Sequence, residues 1–321
     1  EIVSGEDRVS SYFALRTIKA EGKDLLLNGK PYFFHGLLDQ GYFSDGIYLP
    51  ATPKGFENDI ITMKKLGFNM LRKHIKIEPA VFYFYCDKYG MAVFQDLVNS
   101  GNYSFLIDTA LPTVLFKKGI THRASTIRRK NFISDMENTL SLLYNYPSVC
   151  YYTLFNEGWG QFDAKNMYAL AKELEPTRVW DATSGWFQTG ESDVLSEHVY
   201  FKPVIIKNDG RPLVLSEFGG YSLKIENHVF NTKDTYGYRF FSDKDAFNTA
   251  LYDLYINEVV PCIKNEGLSA AVLTQVSDVE DETNGLLTYD RQVLKVNEKH
   301  LLEIAEKLKK AFTDSISVPN P

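Results

Sequence analysis

Two glutamates at the ends of apolar runs define the chemistry this sequence could perform. Glu157 follows the run Val149–Asn156 within the stretch YYTLFNEGWGQF, and Glu217 ends the run Pro212–Phe218. Two carboxylates held about 5–5.5 Å apart can cleave an acetal in two displacements: one attacks the acetal carbon while the other protonates the leaving oxygen and then activates water. A wider gap, roughly 6.5–9.5 Å, admits a water molecule between them and changes the stereochemistry. Asn156 precedes Glu157, and Trp159 follows within the same turn. Further polar residues end other apolar runs: Arg72 and His74, Asp96, His198 and Tyr200, with Trp186 shortly after Asp181.

Each of these also has a purely structural reading. A glutamate ending a strand is usually a solvated loop residue. Arg72 and His74 could pair with Asp96 simply to hold neighbouring strands together. His198 and Tyr200 lie two apart, so on a strand they share a face and could be satisfied core residues. Trp159 reads equally as loop packing or as a platform for a sugar ring. It is the pairing of two glutamates on matching run ends, one preceded by asparagine, that favours chemistry.

The elements that would position these residues are legible in the pattern. Eight near-continuous apolar runs, Tyr32–Leu38, Phe68–His74, Met91–Leu97, Val149–Asn156, Arg178–Thr183, Ser196–Tyr200, Pro212–Phe218 and Ala270–Val276, are typical of strands covered on both faces. Amphipathic segments separate most of them: Pro53–Leu66, Glu78–Tyr89, Ser125–Tyr144, Phe162–Leu174, Lys244–Lys264 and Val293–Phe312. Gly67 and Gly90 stop the first two, and Pro261 should bend or shorten the fifth. This alternation predicts an α/β fold, a (β/α)8 TIM barrel, with the chemistry at the C-terminal ends of the strands. An open doubly wound sheet is the alternative, but no G-x-G-x-x-G or phosphate loop supports it. Residues 21–314 form the barrel in this reading and 315–321 a tail. Residues 9–18 look like an isolated strand, and KDLLLNGKPYFFHG like a hairpin turning at Asn28-Gly29 that covers the barrel bottom. Residues 97–120 form a long connection suited to line the mouth or to run over the surface.

Composition narrows the partners. A formal net charge of −6 disfavours nucleic acid and anionic membrane surfaces, which select basic faces. No uninterrupted apolar run is long enough for a membrane span. The 20 Tyr and 22 Phe suit a large core and also a carbohydrate site. Cys86, Cys150 and Cys262 form neither a disulfide framework nor a zinc pattern. The beginning EIVSGEDRVSS carries no basic-then-apolar leader, which leaves the compartment open between cytoplasm and periplasm or exterior.

FNEGWGQF, with LRKHIKIEP upstream and LSEFGG downstream, resembles the catalytic domain of glycoside hydrolase family 2, which includes β-galactosidases, β-glucuronidases and β-mannosidases. SEHVY and VSDVEDETNGLLTYDR extend the resemblance from about Val9 to about Lys309. It implies a barrel with Glu157 as general acid/base, Glu217 as nucleophile, Asn156 on the sugar 2-hydroxyl, and Tyr200 and Arg72 beside the nucleophile. His74, His198 and Asp96 match more loosely. No cofactor is implied. Some galactosidases of the family use magnesium near the acid/base, but no ligand set for it is identifiable here. Members usually carry a sugar-binding jelly roll and an immunoglobulin-like domain before the barrel. Residues 1–20 then read as a linker with the last strand of the latter, and the chain as a piece of a longer protein. The Asn-x-Lys element by which glucuronidases hold the sugar carboxylate is missing from VEDETNGLLTYDR, and Asp278, Glu280, Asp281 and Glu282 would repel an acidic sugar. The strand-eight tryptophan of many members is replaced near Thr274-Gln275. The expectation is a retaining exo-β-glycosidase for a neutral sugar, β-galactosidase-like, acting on a carbohydrate substrate. A non-catalytic carbohydrate-binding barrel and an endo-acting glycanase of the same clan are the rival readings.

Overall fold

The computed structural model describes residues 1–99, 106 and 124–316. Most of the long connection at 97–120 and of the tail at 315–321 lies outside the described residues. Eight parallel strands form one sheet: β6 (Phe34–Asp39), β7 (Met70–Lys73), β8 (Ala92–Asp96), β9 (Val149–Thr153), β10 (Val179–Asp181), β11 (Leu195–Val199), β12 (Leu213–Gly219) and β15 (Leu268–Thr274). Their order, β10-β9-β8-β7-β6-β15-β12-β11, is that of a barrel closed everywhere but between β10 and β11. Side chains and one backbone bond bridge that seam. Trp180 N donates to Asp193 Oδ2 at 2.8 Å, Asp193 N to Trp180 O at 3.1 Å, and the Ser184 and Ser196 hydroxyls lie 3.1 Å apart.

The strands read as unbroken apolar runs because both faces are buried, with alternate residues serving different layers. Phe34, Leu38, Met70, Phe94, Tyr151, Val214, Ala270 and Val272 pack inside the barrel. Leu37, Leu71, Val93, Tyr152, Trp180, Leu215, Ala271 and Leu273 face the surrounding helices. Gly36 is required by the interior, since a Cβ there would meet the Met70 Sδ at 2.5 Å. The barrel bottom is closed by β3 (Ile18–Glu21), β4 (Asp24–Leu27) and β5 (Lys30–Pro31), which send Ile18 and Leu25 into the interior cluster. The β4–β5 turn has positive φ at Asn28 (53°) and Gly29 (74°), as a type I′ turn demands.

Two local expectations change, at residues 9–18 and at the last helix, and the expected break before Pro261 is found. Residues 9–18 are not one strand. β1 (Ile2–Ser4) pairs with β2 (Asp7–Val9), and residues 10–17 are irregular, with Phe13 and Leu15 exposed. The segment lacks a ladder partner, so its backbone cannot be satisfied as a strand. Arg16 instead pins the segment by donating to Pro147 O and Val149 O at 2.9 and 2.6 Å. The helical region after residue 244 is interrupted by a π turn at Tyr255–Val259 ahead of Pro261, which has no N–H to continue the ladder. The last helix is Glu298–Ile316 rather than Val293–Phe312. Asn297 Oδ1 accepts from the Lys299 and His300 amides and starts the helix there, while Lys295 is buried against Asp278 at 2.6 Å.

His35 lies within the fold, with Nδ1 3.2 Å from Gly67 O and Nε2 3.2 Å from the Tyr255 hydroxyl. Burial lowers its pKa from 6.5 to about 4. The folded state therefore favours the neutral ring. This contribution to stability is complete above the unfolded value and shrinks as pH falls from 6.5 to about 4, because the unfolded chain takes up the proton first. Urea melts across that window should show His35→Gln with a shallower loss of stability than the parent chain.

Candidate active site

The backbone explains why the apolar run ends where it does. Beyond β9, Leu154 N donates to Asp181 O and Ser184 N to Phe155 O, both at 2.8 Å, so the chain continues beside β10 as far as Asn156. Glu157 then adopts φ 52° and Gly158 φ 77°, which turn the chain sharply across the barrel mouth. A non-glycine residue with left-handed backbone is costly and is retained where surrounding contacts hold it, commonly at functional sites. The amide of Glu157 donates to Ser184 O at 3.0 Å, and a Cβ on Gly158 would meet the Phe187 ring at 2.4 Å.

Arg72, on β7, is the hub of the mouth. Its Nε donates to Asp96 Oδ1 at 3.0 Å, Nη1 to Glu217 Oε1 at 3.0 Å and to Ser216 O at 3.0 Å, and Nη2 to Asn156 Oδ1 at 2.8 Å. Burial opposes its charge, but Asp96 and Glu217 outweigh that and push its pKa up. Asp96 is likewise buried, yet Arg72 and His74 hold its pKa below the ordinary value. The other Glu217 oxygen accepts from the Tyr200 hydroxyl, which also lies 2.9 Å from Thr274 Oγ1. Burial and then the Glu217 charge keep that phenol protonated.

His198 lies between the two glutamates. Its Nδ1 is 2.9 Å from Glu157 Oε1 and 3.5 Å from Glu217 Oε2. Burial, then the charge of Arg72, lowers its pKa well below the usual value, so the ring is neutral. Nε2 faces the Arg72 donor at 3.3 Å and therefore accepts, which assigns the proton to Nδ1 and aims it at Glu157. Ligand atoms of Glu157, His198 and Glu217 all lie within 4.8 Å of one another. Such a set could also hold a metal ion, but the Arg72 guanidinium already supplies positive charge at Glu217.

A cavity of about 250 Å³ opens on these groups. His74, Asn156, Glu157, Trp159, Tyr200 and Glu217 line it. Asn156 has its oxygen occupied by Arg72, so its NH2 group is the one presented to a ligand. His74 Nδ1 meets Asp96 Oδ2 at 3.0 Å, which leaves Nε2 for the cavity. The remaining candidates stand behind the lining. Arg72, Asp96 and His198 are buried and touch the glutamates, Asn156 or His74 rather than the cavity. Trp186 packs edge-on against His198, with ring centroids 5.6 Å apart. None of these four is in the cavity lining; Arg72, Asp96 and His198 contact residues that are. The same geometry adds lining residues that sequence reasoning did not single out, Gln40, Tyr236 and Tyr238, the last stacked on Tyr200 at 3.7 Å, and it brings Glu282 alone of the acidic loop to the cavity. Gln40 follows the end of β6 and was findable by the strand-end rule. Tyr236 and Tyr238 lie in an irregular loop with no periodic signal.

Comparison with known proteins agrees with this architecture. Residues 18–219, more than half of the chain, match the model described as glycosyl hydrolases family 2, TIM barrel domain. A β-glucuronidase of Bacteroides fragilis is 26% identical over 190 residues, which are 52% of this chain and 25% of that protein. A β-galactosidase of Priestia megaterium is 23% identical over 212 residues, 63% of this chain and 20% of that protein. The chain thus spans a quarter or less of the length of these relatives. Among solved structures, a β-galacturonidase of Eisenbergiella tayi superposes with TM-score 0.66 at 17% identity, covering 93% of this chain and 55% of that one. Bacteroides uniformis β-glucuronidase 3 gives TM-score 0.67 at 15% identity, covering 96% and 42%. The chain belongs to glycoside hydrolase family 2 and carries its TIM-barrel domain.

Proposed function

We propose that this barrel hydrolyses terminal β-glycosidic bonds of a neutral sugar with retention of anomeric configuration. The observation that carries the reading is the approach of Glu157 and Glu217, with oxygens within 4.8 Å across one cavity. That spacing suits direct attack by a carboxylate better than attack by an interposed water. Glu217, steadied by Arg72 and Tyr200, attacks the anomeric carbon as Glu157 gives its proton to the leaving oxygen. The resulting glycosyl ester on Glu217 is then hydrolysed by water that Glu157 deprotonates. With its oxygen taken by Arg72, Asn156 offers its NH2 group to a sugar hydroxyl and so orients the ring for attack.

Two further features support the finer parts of the reading. The cavity suits one sugar ring more than a polymer chain, in favour of exo action. Its described lining contains three glutamates and no lysine or arginine, an environment suited to an uncharged sugar, although the similar proteins include enzymes named for uronic acids. The test is a panel of chromogenic β-galactoside, β-glucoside, β-mannoside and β-glucuronide, using this chain. Release of the chromophore from one neutral glycoside supports the proposal. Turnover of the glucuronide alone contradicts the neutral-sugar part, and binding without turnover favours a carbohydrate-binding barrel.

A further inference from the structure

The acidic loop after β15 does not act as a block. Asp278 is consumed by Lys295 at 2.6 Å, and Asp281 Oδ1 accepts from Asn231 at 2.6 Å. Of its four acidic side chains, only Glu282 is in the cavity lining. It sits in a bracket of amides. Gln40 Nε2 and Gln275 Nε2 both donate to its Oε2, at 3.2 and 2.7 Å. Gln275 is itself fixed, accepting from Gln40 at 3.1 Å and donating to Asn284 Oδ1 at 2.7 Å. Reciprocal backbone bonds between Val279 and Glu282, at 3.0 and 2.8 Å, and Tyr236 N to Asp281 O at 2.6 Å hold the loop. The two amide donors use about half of the roughly four lone-pair positions of an ionised carboxylate, and the others can take hydroxyl donors.

We propose that Glu282 is a specificity-determining residue of this cavity, accepting hydrogen bonds from hydroxyl groups of a neutral glycone and excluding glycones that carry a carboxylate. The inference rests on the glycosidase reading above and names the side chain that sets its substrate class. The half-buried side chain is raised in pKa by desolvation, and the nearby Glu217 charge adds to this, while His74 and the Asn284 and Gln275 amides oppose it. A third negative group in the same space would meet two carboxylates with no permanently charged cation among the described lining residues. A hydroxyl brings only donors and acceptors and relieves the unfilled acceptor capacity of Glu282.

The test compares kcat/KM for aryl β-galactoside, β-glucoside and β-mannoside with that for aryl β-glucuronide and β-galacturonide, in the parent chain, Glu282→Gln and Glu282→Ala. The parent should prefer a neutral glycoside. Both variants should lose about 10- to 100-fold on it, the scale of one hydrogen bond to a charged group. The uronide-to-neutral ratio should rise in both, and thermal melts report whether each variant is folded. A parent that prefers a uronide, or a ratio that does not move in either folded variant, overturns the assignment while leaving the glycosidase reading intact. If no substrate turns over, calorimetry with methyl β-galactoside, methyl β-glucoside and glucuronic acid reads the same preference. Neutral-sugar binding weakened by Glu282→Ala then supports the role of Glu282 and counts only against turnover. Preferential binding of glucuronic acid, or binding of no sugar, overturns it.

Discussion

Glu217→Gln should lower kcat by about 10⁴-fold or more on every substrate the parent chain cleaves, with the fold and sugar binding retained. The exchange is nearly isosteric. It keeps an oxygen for the Arg72 Nη1 contact at 3.0 Å, puts an NH2 group in place of the oxygen that accepts from Tyr200, and removes the negative charge and nucleophilicity. The loss must appear whatever the leaving group, because no glycosyl ester can form on an amide. Steady-state rates on an activated and an unactivated aryl glycoside measure it, and a loss below about tenfold on both would remove Glu217 from the role of nucleophile.

Glu157→Ala should divide substrates by their leaving group. A glycoside with a poor leaving group needs protonation of its departing oxygen and should slow by about 10²–10⁴-fold, the usual scale of general-acid assistance. A dinitrophenyl glycoside departs as a stable anion, so formation of the glycosyl ester should be largely spared and its hydrolysis should become limiting. Azide, which needs no general base, should then accelerate turnover and appear in a β-glycosyl azide product. Equal losses on both leaving groups, with no response to azide, would show that Glu157 does not serve as acid/base. His198 gives this prediction a structural check. Its neutral ring aims Nδ1 at Glu157 Oε1 from 2.9 Å, so the alanine variant leaves that donor unmatched and some stability should be lost along with activity.

The barrel was legible because its strands obey a simple physical rule. A strand covered on both faces must be apolar throughout, and Val149–Thr153 and Leu268–Thr274 are buried at every position. The glutamates were legible because the topology carries strand ends to one mouth. Elements governed by partners rather than by local pattern were less so. Residues 9–18 look locally like a strand, yet with no neighbour to pair with, the chain uses Arg16 to dock on Pro147 and Val149 instead. Asn297 moved the start of the last helix by capping it, a side-chain contact that apolar periodicity does not register. In the site, side chains that touch the cavity could not be told from those that orient them. Arg72 and Tyr200 both end up on Glu217, but only Tyr200 reaches the cavity. The acidic loop looked like one repulsive patch, whereas a buried lysine, an asparagine and a pair of glutamines treat its members differently.

The central claim is that Glu217 becomes covalently bonded to the sugar. A 2-deoxy-2-fluoro-β-glycosyl fluoride of the sugar released in the panel would make that bond form quickly and break slowly, because the fluorine destabilises positive charge on the ring in both steps while fluoride departs readily. Mass spectrometry of the inactivated chain should show one added fluoroglycosyl group, and peptide mapping should place it on the segment containing Glu217. Label on Glu157, or turnover of the parent substrates with no covalent adduct at any residue, would contradict the account.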